Sequence, residues 1–235
     1  LRFGVTALQP DDWSGHALAH LRITVIIPTV NEGATLSAAI QSCLDNQADQ
    51  IIIADGGSSD DTHVISERLG CRWVQASPPQ RARQMNAAAR EANGDLIVFL
   101  HADSILEAGA LASLRSLASD HRILGGGFRR RYLSSSLVLA LSCRLGNLRA
   151  RWVGWYFGDQ AIWARRDIFL KMGGFPEKPL FEDMDFTRRL ARRGRMRLVT
   201  PGIQTSSRRF DTKVASTVAH DFLMTLRHLL RGSRP

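Results

Sequence analysis

ITVIIPTVNE (residues 23–32) is the stretch that decides the fold. It opens on five β-branched residues in a row. Such a run has no polar face, so it predicts a strand buried on both sides. Pro28 offers no N–H to a ladder and ends the run. Asn31 and Glu32 then lead into residues 33–46, where Leu36, Ile40 and Leu44 recur at helical spacing and Asn31 is placed to cap. The unit repeats downstream. Residues 50–54 (QIIIA) are a second strand, and Ser59 is placed to cap a helix over 60–69. Residues 71–75 are a third strand, and Pro78-Pro79 breaks the chain. Residues 81–92 read as a helix that Asn93-Gly94 ends. Residues 95–101 (DLIVFLH) are the fourth and most apolar strand. This alternation predicts an α/β protein with a mostly parallel central sheet flanked by helices.

The second half is less regular. Helices are expected over 105–117, 135–148, 181–193 and 214–230, and strands over 125–132 and 159–165. Residues 1–22 read as a lead-in and 23–210 as the catalytic domain. Residues 211–235 read as an amphipathic C-terminal helix with a basic tail.

Carboxylates stand where the apolar runs end, which is where open α/β sheets gather ligand sites. Glu32 follows the first run. Asp55 ends the second, in IADGGSSDDT (53–62), where Gly56 and Gly57 allow close backbone approach and Asp55 can accept from a nucleobase N–H. Asp60 and Asp61 suit a helix N-terminus instead. FLHAD (99–103) puts His101 and Asp103 on one face of a strand end. A carboxylate with an imidazole can hold Mg²⁺ or Mn²⁺ while diphosphate oxygens complete the shell. FEDMD (181–185) puts Glu182, Asp183 and Asp185 in a first helical turn. There they suit the helix dipole, and Asp185 can pair with Arg188 or Arg189. Asp183 is also the candidate general base toward an acceptor hydroxyl.

Bulk properties bound the partners. The 235 residues carry a net charge of +9, almost all of it on Arg, since Lys occurs only at 171, 178 and 213. Arg suits phosphate and a basic surface suits anions, but no nucleic-acid module is present, so no nucleic-acid partner is expected. Three scattered cysteines, Cys43, Cys71 and Cys143, argue against a disulfide framework and for a reducing cytoplasm. No signal peptide is evident at the N-terminus of this sequence. Residues 135–151 and 214–231 mix apolar and Arg positions, which leaves a peripheral membrane contact open.

PTVNE, DGGSSDDT, RARQMNAAA, GDLIVFLHAD, GDQAIW and GGFP…FEDMDFTRRL resemble, in this order, the family 2 glycosyltransferases. Within them they most resemble the bacterial arsenosugar-biosynthesis-type set. The resemblance covers about 23–231. It implies a glycosyltransferase A fold, a UDP- or GDP-linked sugar donor, a divalent cation and inversion at the anomeric carbon. By position, Pro28, Thr29, Glu32 and Asp55 with Gly56 would line base and ribose, and Arg81 and Arg83 would lie near the nucleotide. Asp103, with His101 beside it, would hold the metal. Asp183, with Glu182, would serve catalysis, and Arg208 and Arg209 would help at the departing diphosphate. His101 stands where the usual metal motif has a second carboxylate, which leaves metal affinity open. The chain also ends sooner after its last helix than relatives can. Two other readings stand beside this one. A non-catalytic nucleotide-sugar binding protein would not need Asp183. A sugar-phosphate nucleotidyltransferase would need a Gly-rich phosphate loop that PTVNEGA does not supply.

Overall fold

The computed structural model describes residues 21–207 and 214–230. Most of the lead-in, Arg208, Arg209 and the basic tail therefore lie outside the described residues. The first half follows the sequence pattern. Strands β1 (Ile23–Thr29), β2 (Gln50–Asp55), β3 (Arg72–Gln75) and β4 (Leu96–Phe99) alternate with helices α1 (Gly33–Asp45), α2 (Thr62–Arg68) and α3 (Arg81–Glu91). The four strands are parallel, in spatial order β3-β2-β1-β4. Because β2 and β4 leave β1 on opposite sides, the crevice at the ends of β1 and β4 is a topological switch point.

The rest of the chain is β5 (Ser104–Leu106), α4 (Ala110–Ala118), β6 (Ile123–Tyr132) and α5 (Leu137–Val153). A single 3-10 turn (Gly158–Gln160) follows, then β7 (Trp163–Arg165), α6 (Arg166–Lys171), α7 (Glu182–Ala191), β8 (Arg195–Thr205) and α8 (Val214–Leu230). The eight-stranded sheet continues β4-β7-β6-β8-β5. β7 runs antiparallel to both β4 and β6, β8 parallel to β6, and β5 antiparallel to β8. The sheet is thus mixed, with its parallel block at the N-terminal half.

Alternate residues of β1 feed two cores, as strand period requires. Ile23, Val25 and Ile27 join Leu36 and Ile40 of α1 and Leu111 and Leu114 of α4. Ile26 joins Met85 and Ala88 of α3 and Phe186 of α7 on the opposite face. The second core holds an aromatic cluster, with Phe99, Phe169, Phe175 and Phe186 at centroid separations of 4.8–5.2 Å.

Three expectations are corrected. Residues 105–117 are not one helix: Ser104–Leu106 pairs with β8 as an edge strand, and the helix begins at Ala110. Residues 159–165 are a 3-10 turn followed by a strand of three residues. Ser59 does not cap α2. The N-cap position is Asp61, which makes no side-chain capping bond; Asp60 before it accepts from the Thr62 N–H at 3.1 Å, and its other oxygen accepts from the Gly33 N–H at the start of α1 at 2.9 Å.

Candidate functional site

A cleft of about 260 Å³ opens at the switch point, lined by Pro28, Thr29, Val30, Glu32, Arg81, Gln84, His101, Ala102 and Asp103. It is built from the ends of β1 and β4 and the first turn of α3. Of the candidate residues, it brings together Pro28, Thr29, Glu32, Arg81, His101 and Asp103.

Arg81 reaches the cleft from α3 and is held there by Glu182. Its Nε and one terminal nitrogen both contact Glu182 Oε1 at 2.7 Å. Glu182 is 1 % exposed, and its other oxygen has no hydrogen-bond partner among the described residues. Its evident work is to fix a guanidinium at the cleft wall.

Asp55 and Gly56 stand behind the cleft, not on its wall. The Asp55 carboxylate accepts from the Gly57 and Ser58 N–H groups at 2.7 and 2.8 Å, and from the Ser58 and Thr29 hydroxyls at 2.5 and 3.2 Å. Those four donors fill a carboxylate's lone-pair sites. A nucleobase contact would require one of them to exchange. Gly56 is required by packing: a Cβ there would lie 2.8 Å from Val30 and 2.9 Å from Pro79. Asn31 does not cap α1 but ties β1 to the same loop, accepting from the Ser59 N–H at 2.8 Å. Arg83 also lies off the cleft wall, where it pairs with Glu177 at 3.4 Å.

Asp183 is buried in the first turn of α7. One carboxylate oxygen accepts from the Gly158 N–H and the other from the Met184 N–H, each at 2.6 Å. Each oxygen keeps acceptor capacity for a substrate proton. Gly158 also faces the metal candidate. A Cβ on Gly158 would lie 3.0 Å from His101 Nε2 and 3.3 Å from Asp183 Oδ2. The end of β4 and the start of α7 therefore meet across one missing side chain. Phe181, just before Glu182, is held at φ 62°. This left-handed conformation costs a residue with a Cβ about 1 kcal/mol or more. Its ring stacks on His228 of α8 at 4.5 Å. Asp185 does not pair with Arg188 or Arg189: Lys178 and His228 hold it, the latter at 3.0 Å.

Burial, with the Arg81 guanidinium nearby, pushes the His101 imidazole down to about 3. It is neutral at pH 7 and keeps a nitrogen lone pair. Among the described residues, the Asp103 carboxylate accepts only a long 3.4 Å contact from its neighbour Ser104. This imidazole and carboxylate fit a divalent cation whose remaining ligands come from a diphosphate. Among the described residues there is no group of three or more His, Cys, Asp or Glu placed to hold a metal.

Three residues outside the candidate set shape the site. Gln84 of α3 lines the cleft and donates to the carbonyls of Thr29 and Ala54 at 2.9 and 2.8 Å. Its signal was its place in RARQMN. Gly158 stands in GDQAIW. Arg149 of α5 had no local signal. It donates to Gln160 at 3.0 Å and to the Trp155 carbonyl at 3.3 Å, and covers the Phe157 ring at 3.9 Å. Burial and the neighbouring Arg130 push its guanidinium down to about 10, with Asp183 opposing.

Comparison with known proteins identifies the family and the fold. The sequence model of "Glycosyl transferase family 2" matches residues 24–171. The O-antigen chain rhamnosyltransferase WbaN of Salmonella anatum is 28 % identical over 195 residues, 73 % of this chain and 61 % of that protein. Glucosyl-3-phosphoglycerate synthase of Mycobacterium tuberculosis is 33 % identical over 100 residues, 38 % of this chain and 31 % of its own. The chain thus spans between about a third and three fifths of these relatives. The mannosyltransferase PcManGT of Pyrobaculum calidifontis, solved with GDP-Man and Mn²⁺, superimposes with TM-score 0.63 at 22 % identity, covering 81 % of this chain and 57 % of that one. The synthase, solved with Mn²⁺, UDP and glucosyl-3-phosphoglycerate, gives TM-score 0.55 at 22 % identity, covering 79 % and 70 %. The α/β sheet is that of the glycosyltransferase A fold, and the chain belongs to glycosyl transferase family 2.

Proposed function

We propose that the protein transfers a sugar from a nucleotide-diphosphate donor to a hydroxyl acceptor, with inversion at the anomeric carbon and Asp183 as general base. The observation that carries this reading is the meeting at Gly158, where His101 of the cleft wall and the Asp183 carboxylate both close on the position a Cβ of Gly158 would take. The cleft takes the donor. Pro28, Thr29 and Glu32 face base and ribose, and Arg81 faces the diphosphate. Glu182 holds Arg81 there instead of acting on the acceptor. Asp103 and His101 would bind Mn²⁺ or Mg²⁺, which when bound supplies positive charge at the diphosphate. Asp183 takes the acceptor proton as the acceptor oxygen bonds to the anomeric carbon. The bond from that carbon to the diphosphate breaks, and the nucleoside diphosphate leaves.

The relatives support this reading by what they were solved with: UDP or GDP-Man, each with Mn²⁺. They favour a UDP- or GDP-linked donor and Mn²⁺ here. Asp55 and Gly56 act by shaping the loop behind the base, and Arg83 by holding the Glu177 loop at the mouth. The roles of Arg208 and Arg209 at the leaving group, and a place in the arsenosugar-type subgroup, rest on motif position alone. Free Cys43, Cys71 and Cys143 favour a reducing, cytoplasmic setting.

Substituting Asp183→Asn keeps the side-chain volume and removes the base. Transfer should fall by about 10²–10⁴-fold while donor affinity, measured by titration calorimetry, stays within about twofold. Wild-type turnover in this variant would remove Asp183 from the chemistry.

A further inference from the structure

α5 is apolar on the wrong side for a helix that only packs on a core. Its buried residues Leu139, Cys143 and Ala150 form one narrow face against the protein. At roughly 100° per residue, Leu137, Leu141, Leu145, Leu148 and Trp152 fall on a single stripe about half a turn away. That stripe is in solvent: the five residues are 85, 57, 59, 52 and 79 % exposed. α1 and α3, by contrast, turn Ser37, Gln41 and Arg90 outward. α8 packs on α5 while the stripe stays exposed, and α8 carries exposed apolar residues of its own, Phe222, Leu223 and Leu226. An apolar face of this extent marks a surface that meets something.

Charge says what it meets. α5 contains Arg144, Arg149 and Arg151 and no acidic residue. Arg144 and Arg151 are exposed and lie along one edge of the stripe, and Arg227 is exposed on α8. The whole chain carries +9. Leu and Trp on one face with Arg at the edge is the pattern of a helix lying in a lipid interface. There the apolar side chains enter the acyl boundary and the guanidinium groups reach lipid phosphates. A second copy would bring an identical Arg-edged stripe with no carboxylate on α5 to meet those cations. Among the described residues no helix is long and apolar enough to cross a membrane, so α5 can lie on a bilayer but not span it.

We propose that the outward face of α5 and α8 is a peripheral docking surface for an anionic lipid bilayer. This inference stands apart from the transfer reaction and survives its failure. It has a consequence for the site, because the segment following α5 carries Gly158, whose N–H binds Asp183. A docked α5 holds that segment close to the bilayer surface.

Flotation of the purified 235-residue chain with phosphatidylcholine vesicles, with and without phosphatidylglycerol, at physiological ionic strength tests it. Wild type should float with the anionic vesicles. Leu141→Glu/Leu148→Glu/Trp152→Glu, with circular dichroism and melting temperature unchanged, should lose at least about tenfold of that binding. Arg144→Gln/Arg151→Gln leaves the apolar stripe intact and should weaken binding to anionic vesicles selectively. Wild type that stays unbound, or that binds equally well in both variants, overturns the proposal. So does a dimer, seen by light scattering, that the triple variant dissociates, because it would assign the face to a second copy.

Discussion

Asp183 and Gly158 act as one unit. Gly158 supplies both a backbone donor to the carboxylate and the space it occupies beside His101. Gly158→Ala puts a methyl group 3.0 Å from His101 and 3.3 Å from Asp183, so both must shift by a few tenths of an ångström. Turnover should fall by about ten- to a hundredfold with little change in melting temperature. Unchanged turnover would show that this contact does not position the reaction. Arg165 is a structural counterpart to the site's arginines. It is buried at the end of β7 and donates to the carbonyls of Ile123, Ala118 and Asp120 at 3.0, 2.5 and 3.3 Å, which finishes α4. Arg165→Met strands those acceptors and should cost about 2–4 kcal/mol in denaturant unfolding. A loss under about 0.5 kcal/mol would mean that water replaces the guanidinium. At this scale the sequence marks which residues have chemistry but not whom they satisfy. Asp55 is legible as a strand-end carboxylate, yet its four donors come from its own loop and from Thr29 across the β1–β2 pair. Asn31, which local capping rules give to α1, accepts instead from the Ser59 N–H, while Asp60 serves the first N–H groups of both α1 and α2.

Elements that follow the repeating strand–helix unit were legible, and those that pair outside it were not. β1, β2 and β4 announce themselves because each is buried on both faces, and β3, an edge strand, because it too is joined to its neighbours by helices. β8 does not. It carries Pro201 and Gly202 in its interior, which read as breakers. In the sheet they fall where the β6–β8 register slips between Phe128 and Arg130, a bulge that tolerates a missing donor. β5 is three residues long and pairs with a strand about a hundred residues later, so its Ile105 and Leu106 look like the start of the next helix. The GGFP loop shows how a motif can be structural. Asn86 of α3 donates to the Phe175 carbonyl at 2.8 Å and accepts from the Phe175 N–H at 2.9 Å, and Phe175 enters the aromatic cluster under α7. Asn86→Ala removes both bonds. It should destabilise the fold by about 1–3 kcal/mol and reduce transfer through the approach to Phe181. Full stability with full activity would show that the cluster alone fixes the loop.

Across the molecule the mixed sheet divides the work. The parallel block β3-β2-β1-β4 supplies the switch-point cleft, and the antiparallel insertion of β7 brings the 3-10 turn and α7 up to its rim. The half of the site proposed to take the donor is legible because most of its residues stand at strand ends. The half proposed to take the acceptor depends on where α5, the Gly158 turn and α7 meet, which no local pattern encodes. The cleft of Pro28, Thr29, Arg81, His101 and Asp103 is proposed to hold a metal-bound nucleoside diphosphate. The most direct measurement is calorimetric titration with UDP and with GDP, each with Mn²⁺ and with EDTA. One of the two nucleotides should bind with Mn²⁺ and lose at least about tenfold in affinity with EDTA or in Asp103→Ala, while Asp183→Asn binds as wild type does. Binding of neither nucleotide, or binding indifferent to both Mn²⁺ and Asp103, would contradict it.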